Sequence, residues 1–280
     1  MKKIITASMV LDFQNYLIQE ERSNGTREKY QRDLAHFTAW LDGRPVSKEL
    51  AAAWKEALLE QGYAPITINS MLAAIHQFFA FMGWTDCRVK YLRVQQRLFR
   101  DTARDLDRRE YDRLIECAQR SGKDRLALLM ETMGSTGIRV SEVHYLTVEA
   151  VRKGRTDISL KGKIRTILLP SKLCRKLLKY AQKEKIASGE IFLTRNGISL
   201  SRKQIWSEMK ALCAEADVAP SKVFPHNLRH LFARTFYHVD RDVAKLADIL
   251  GHSSIETTRI YLISTGVEHV KTLDRLHLVS

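Results

Sequence analysis

From Ala7 to Gly83 the apolar residues recur every three or four positions, in four successive stretches. That spacing gathers them on one face of an α-helix instead of alternating them across a strand. Met9, Phe13, Leu17 and Ile18 stripe residues 7–22. Tyr30, Leu34, Phe37 and Leu41 stripe 26–41, with Thr26 placed to cap it. Leu50, Trp54, Ala57 and Leu58 follow Pro45 in a segment opening at Ser47, and Ile68, Met71, Leu72, Ile75 and Phe79 follow Pro65 and Thr67. Four amphipathic helices, each with a face to hide, predict a compact helical bundle. The full 280 residues exceed what that bundle needs, so a second domain is expected. The boundaries read as 1–87 for the helical domain, 88–105 for a linker and 106–280 for the second domain.

The pattern lapses between Arg88 and Arg109, where Arg88, Lys90, Arg93, Arg97, Arg100, Arg104, Arg108 and Arg109 crowd together. An extended basic connector is the simplest reading, and Arg93, Arg97 and Arg100 are its candidate DNA contacts. A solvated surface run is the alternative. The whole chain carries 46 Lys+Arg against 32 Asp+Glu, a net charge of +14. Residues 1–100 hold 14 basic and 10 acidic side chains, a surplus of 4, and the other 10 units lie in 101–280. Both halves being basic, a polyanion contacted by both is the expected partner, with solubility as the bland alternative. No apolar run approaches the roughly 20 residues of a membrane span, and Met1-Lys2-Lys3 opens no signal peptide. Cys87, Cys117, Cys174 and Cys213 are widely spaced, which favours free thiols and a cytoplasmic location over disulfides or a zinc knuckle.

Helical spacing resumes over 107–119 and 125–133, and Gly134-Ser135-Thr136-Gly137 reads as a break. Residues 156–160 and 164–169 form the clear strand pair, flanking Lys161-Gly162-Lys163 as a hairpin turn. Helices are expected at 171–187, 201–216, 227–238, 241–250 and 254–263, with a short last one near 266–276. The fold class is therefore mainly α with a small β-hairpin, making the second domain mixed α/β.

Three fragments carry chemistry. In Ser135-Thr136-Gly137-Ile138-Arg139 an arginine follows a glycine turn at a helix start, where a phosphate can be held. In Pro225-His226-Asn227-Leu228-Arg229-His230 an imidazole and a guanidinium lie three apart, on one face of a helix. The segment Leu250–Tyr261 passes through Gly251 and His252 into a helix that carries Tyr261 about two turns along. Singly each has an ordinary reading, and Tyr261 alone is a core tyrosine. Together they supply what attack on a phosphodiester needs. Arg139, Arg229, His226 and His252 can face the developing negative charge, and Tyr261 can attack. Lys161 at the hairpin tip can protonate the leaving oxygen. No cofactor is implied, and with no paired carboxylates beside the histidines a catalytic metal is not expected.

These fragments resemble the signature boxes of the tyrosine recombinases, the phage-integrase-like enzymes. TGIRVSEV resembles the box around the first catalytic arginine, HNLRH the His-x-x-Arg box, LGHSSIETTRIY the box ending in the nucleophile, and SLKGKIRTILLP the hairpin with the lysine. The resemblance spans residues 106–276, and the bundle of 7–83 is similar in size and position to the family's core-binding domain. It implies a C-shaped clamp on duplex DNA, the minimal two-domain type. Arg139 and Arg229 would hold the scissile phosphate, with His226 assisting proton transfer and His252 binding phosphate. Lys161 would be the general acid and Tyr261 would join a 3′ phosphate; Lys163 is the alternative acid. The implied activity is site-specific recombination through a Holliday junction for a mobile element. The implied assembly is a homo-oligomer, a tetramer on two DNA sites, with an accessory bending or directionality factor. A type IB topoisomerase and a non-catalytic DNA-binding accessory protein are the rival readings. Val267, Val270, Leu273 and Leu276 would dock the tail on a neighbour or fold back on the chain itself.

Overall fold

The computed structural model describes residues 3–94, 103–160, 163–252, 254–259, 261, 274 and 275, with the side chains of 159, 160, 163 and 164 left aside. Arg97, Arg100, Lys161 and nearly all of the tail helix expected at 266–276 lie outside the described residues. The chain divides into two compact units, Met1–Gln96 and Arg97–Ser280.

The first unit is α1 (Ala7–Gln19), α2 (Asn24–Leu41), α3 (Lys48–Glu60) and α4 (Pro65–Phe81). Most of the stripe residues read from the sequence form its core: Phe13, Leu34, Phe37, Trp54, Leu58, Ile68, Leu72, Ile75 and Phe79 are all at most 1% exposed, whereas Ile18 is 53% exposed and lies outside it. Ser47 caps α3 by accepting the Leu50 N–H, and Pro65 opens α4 at a position that needs no N–H. Helix α2 corrects one expectation. Ser23, not Thr26, is its cap, because the helix starts earlier, and Thr26 donates its N–H to the Ser23 hydroxyl. The start of the basic stretch lies along α4. Val89 donates its N–H to His76 Nε2, and Leu92 exchanges two hydrogen bonds with the Asn69 amide. Arg88, Lys90 and Arg93 are exposed on this strap.

The second unit opens with α5 (Arg108–Arg120), held by a capping box of Asp107 and Glu110, and α6 (Asp124–Thr136). The expected break at Gly134 does not occur. The Tyr111 ring packs so closely on Gly134 that a Cβ there would lie 2.9 Å from it, and the helix runs on to Gly137, whose φ of +63° ends it. After a 3-10 segment (Val140–Tyr145) come α7 (Val148–Lys153), which the spacing analysis does not find, and the antiparallel pair β1 (Arg155–Leu160) and β2 (Lys163–Leu168). Arg165 pairs with Ile158, and Thr156 with Ile167. Thr156, Ile158 and Ile167 are buried while Leu168 is 71% exposed, so Arg165 stands on the inward face of the hairpin. Then follow α8 (Ser171–Lys183), α9 (Arg202–Lys210), α10 (Pro225–Val239), α11 (Val243–Leu250) and α12 (Ile255–Arg259). The core joins Leu114, Met130, Ile138, Leu146, Leu177, Met209 and Leu228 across α5, α6, α8, α9 and α10. Among the described residues no helix is long and apolar enough to cross a membrane.

Candidate active site

The site gathers where α6 ends, α10 begins and α11 gives way to α12. Helix α11 stops at Gly251, φ +61°. That stop points three successive carbonyls at three arginines. Arg165 donates Nε and Nη2 to Ile249 O at 3.2 and 2.9 Å, Arg229 donates Nη2 to Leu250 O at 2.6 Å, and Arg139 donates Nη2 to Gly251 O at 3.1 Å. A helix carboxyl end carries partial negative charge, so it is a natural anchor for cations that would otherwise repel one another.

A second anchor is Glu142, 1% exposed. Its carboxylate accepts from the Arg139 backbone N–H at 2.9 Å, Arg139 Nη1 at 2.8 Å and Arg165 Nη1 at 2.9 Å. Burial opposes its ionisation, but the bonds from Arg139 and the charges of Arg165 and Arg139 outweigh burial and hold the carboxyl below its ordinary range. Arg139 keeps 37% of its side chain exposed, whereas Arg165 keeps 11%, so Arg139 is the one turned toward solvent.

Arg229 is 1% exposed and central. It donates to Gly137 O at 2.5 Å, to Leu250 O and to His252 Nε2 at 2.9 Å. Burial, then the charges of Arg139 and Arg165, bring its pKa down to about 10, still protonated at neutral pH. His226 is pushed below its ordinary value by burial and by Arg229 and Arg139, which leaves a neutral imidazole able to take a proton.

Tyr261 is 5% exposed, and its backbone N–H donates to Thr258 O. Its ring meets His230 edge-on at 4.5 Å, stacks near His252 at 5.7 Å and lies 6.3 Å from His226. Arg139, His226, Arg229, His252 and Tyr261 thus come together from positions up to 122 apart, 261 − 139. Arg93 is in the other unit, and Lys163 is the first residue of β2. The sequence alone does not single out Glu142, Arg165 or Thr258, and it gives His230 no role of its own. Glu142 had a signal, sitting three residues after Arg139 with the spacing of a capping box. Among the described residues no three His, Cys, Asp or Glu side chains group so as to hold a metal ion.

A cage of arginines and histidines thus closes round a tyrosine, on a helical unit with one small hairpin. Residues 104–266 match the family model described as the phage integrase family, and residues 10–85 match its N-terminal SAM-like domain. The chain belongs to the phage integrase family. Tyrosine recombinase XerA of Pyrococcus furiosus is 27% identical over 286 residues, covering 99% of this chain and 97% of XerA. Tyrosine recombinase XerC of Roseiflexus castenholzii is 30% identical over 273 residues, covering 89% of this chain and 86% of that protein. Among solved structures, XerH recombinase bound to its difH substrate superposes with a TM-score of 0.69 at 17% identity, covering 96% of this chain and 84% of that one. A lambda integrase dimer on a core site gives 0.72 at 16%, covering 92% and 77%. The fold is theirs.

Proposed function

We propose that this recombinase cuts and rejoins duplex DNA at specific sites through Tyr261. The observation that carries the reading is Arg229, which from a fully buried position binds His252, whose ring stacks near that of Tyr261. Arg139 and Arg229 hold the non-bridging oxygens of the scissile phosphate, and His252 adds a third contact. The Tyr261 oxygen attacks phosphorus, the bond to the 5′ oxygen breaks, and a 3′-phosphotyrosyl link remains. A phenol of pKa about 10 costs roughly 4 kcal/mol to ionise at pH 7. Neutral His226 takes its proton, and the arginines offset the charge. The 5′ oxygen receives a proton from a hairpin lysine, Lys161 in our reading, with Lys163 as the other choice. The link keeps the phosphodiester energy, so the free hydroxyl of a partner strand can attack it and pass through a Holliday junction.

The first unit reads as the core-binding domain and the second as the catalytic domain, with Arg93, Arg97, Arg100 and Lys163 contributing DNA contacts. The XerH and lambda integrase structures contain DNA, which supports duplex DNA as the partner. A tetramer on two sites, an accessory bending factor and a mobile-element setting complete the reading; the transposon Tn1549 integrase among the structural neighbours supports the last of these.

The test is a suicide duplex nicked beside the cleavage position, built from the repeats that flank the gene. Native protein is expected to trap a covalent adduct, and Tyr261→Phe to bind the duplex equally while trapping none. An adduct formed by Tyr261→Phe would overturn the assignment. Strand exchange between two duplexes, rather than relaxation of a supercoil without sites, separates a recombinase from a topoisomerase.

A further inference from the structure

His252 sits in this site with its hydrogen turned away from Arg229. Arginine has only donors, so the 2.9 Å contact from Arg229 Nη2 makes His252 Nε2 the acceptor. Burial first, then the charges of Arg229, Arg139, Arg165 and His226, hold His252 to a pKa of about 4, so the ring is neutral at neutral pH. Its one hydrogen is therefore on Nδ1, which lies 2.8 Å from Thr258 Oγ1, and the hydroxyl accepts it. A ring in this state has a lone pair, not a hydrogen, on Nε2. It cannot donate to a phosphate oxygen there.

Thr258 is wholly buried, and its carbonyl takes the Tyr261 N–H at 3.0 Å. One residue thus fixes the bearing of both His252 and the nucleophile. Its hydroxyl is also the kind of partner that a ring changing roles requires, since it donates or accepts as needed. A carboxylate would only accept and an ammonium would only donate.

We propose that Thr258 is a positioning residue that lets His252 turn from acceptor to donor when a phosphate draws Arg229 onto itself. While Nε2 receives Arg229, the Thr258 hydroxyl accepts the Nδ1 hydrogen. When the phosphate arrives, Nδ1 gives its proton to water and Nε2 takes one from water, with no net proton gained or lost. The Thr258 hydroxyl rotates and donates to the bare Nδ1. The phosphate step rests on the recombinase reading; the resting tautomer does not.

Two measurements test it separately. Long-range ¹H–¹⁵N NMR on protein labelled at histidine nitrogens reads the His252 tautomer in the free chain. Native protein is expected to show hydrogen on Nδ1, and Thr258→Val to lose that single state; hydrogen on Nε2 in the native protein overturns the proposal. On the nicked suicide duplex, the isosteric Thr258→Val is expected to bind normally and to form adduct at least about tenfold more slowly, as a mis-set tautomer should. Thr258→Ser, which restores the hydroxyl, is expected within about threefold of native in the same assay. Equal rates for the Val and Ser variants overturn the proposal. If native protein forms no adduct at all, the recombinase reading fails, and the NMR result alone judges Thr258.

Discussion

Glu142 is 1% exposed and faces two guanidiniums, one from Arg139 and one from Arg165. Arg165 is itself almost covered, so it depends on that carboxylate for its charge balance. Removing one partner of a buried pair costs about 3–5 kcal/mol, because the other charge stays behind unpaired. Glu142→Gln is therefore expected to lower the unfolding free energy from urea titration of the full chain by that order, and to slow adduct formation by loosening Arg139. A variant as stable and as fast as native would show that the α11 carbonyls suffice by themselves. At this scale the sequence was half legible. That Arg139, His226, Arg229, His252 and Tyr261 belong to one cluster could be anticipated, because chemistry restricts which residue types suit a phosphodiester. Glu142, Arg165 and Thr258 act on other side chains, and only the folded contacts show which ones.

Gly137 shows what an element end can demand. Its φ is +63°, and a Cβ would fall 2.5 Å from the Phe232 ring. Its carbonyl also receives Arg229. Gly137→Ala is expected to destabilise the chain by roughly 2 kcal/mol or more and to slow cleavage as well. Gly134→Ala, at ordinary helical φ, meets the Tyr111 ring first. Thermal midpoints of the two variants compare backbone strain with side-chain crowding; a milder effect at Gly137 would contradict this. The comparison also explains which ends could be read from sequence. Ser47 and Asp107 announce helix starts through their own side chains. Gly134 reads as a breaker locally and is overruled by Tyr111, a residue 23 positions away whose packing no local pattern contains. The six residues of α7 offered too short a stripe to detect.

At the scale of the whole molecule, each unit holds a histidine neutral. Burial, then Arg88, brings His76 in the first unit to about 4, and His252 in the second reaches about 4 as well. In the unfolded chain both would titrate near 6.5. Between those values the unfolded chain binds more protons than the folded one, so stability is complete above about pH 6.5 and drains as pH falls toward 4. The lowered carboxyl of Glu142 acts in the same direction at still lower pH. Melting followed by tryptophan fluorescence is expected to show a lower midpoint at pH 5 than at pH 7. Trp40, Trp54 and Trp84 make that signal report mainly on the first unit, so His76→Gln should flatten it. An unchanged or higher midpoint at pH 5 would refute the linkage. The two-unit plan itself was readable in the lapse of periodicity after residue 83, because burial of a helix face is a local demand. The meeting of Arg139 with Gly251 was not, since it spans 112 positions.

The arginines that grip Ile249, Leu250 and Gly251 hold peptide oxygens, not side chains. Such a grip is indifferent to spelling and sensitive to counting. Side chains at 249 and 250 can drift as far as packing tolerates without disarming the cage. One residue inserted or deleted within α11 would swing all three carbonyls about 100° around the helix axis and leave every arginine reaching for the wrong oxygen. Over evolutionary time, the length of this short helix should be held more strictly than its composition.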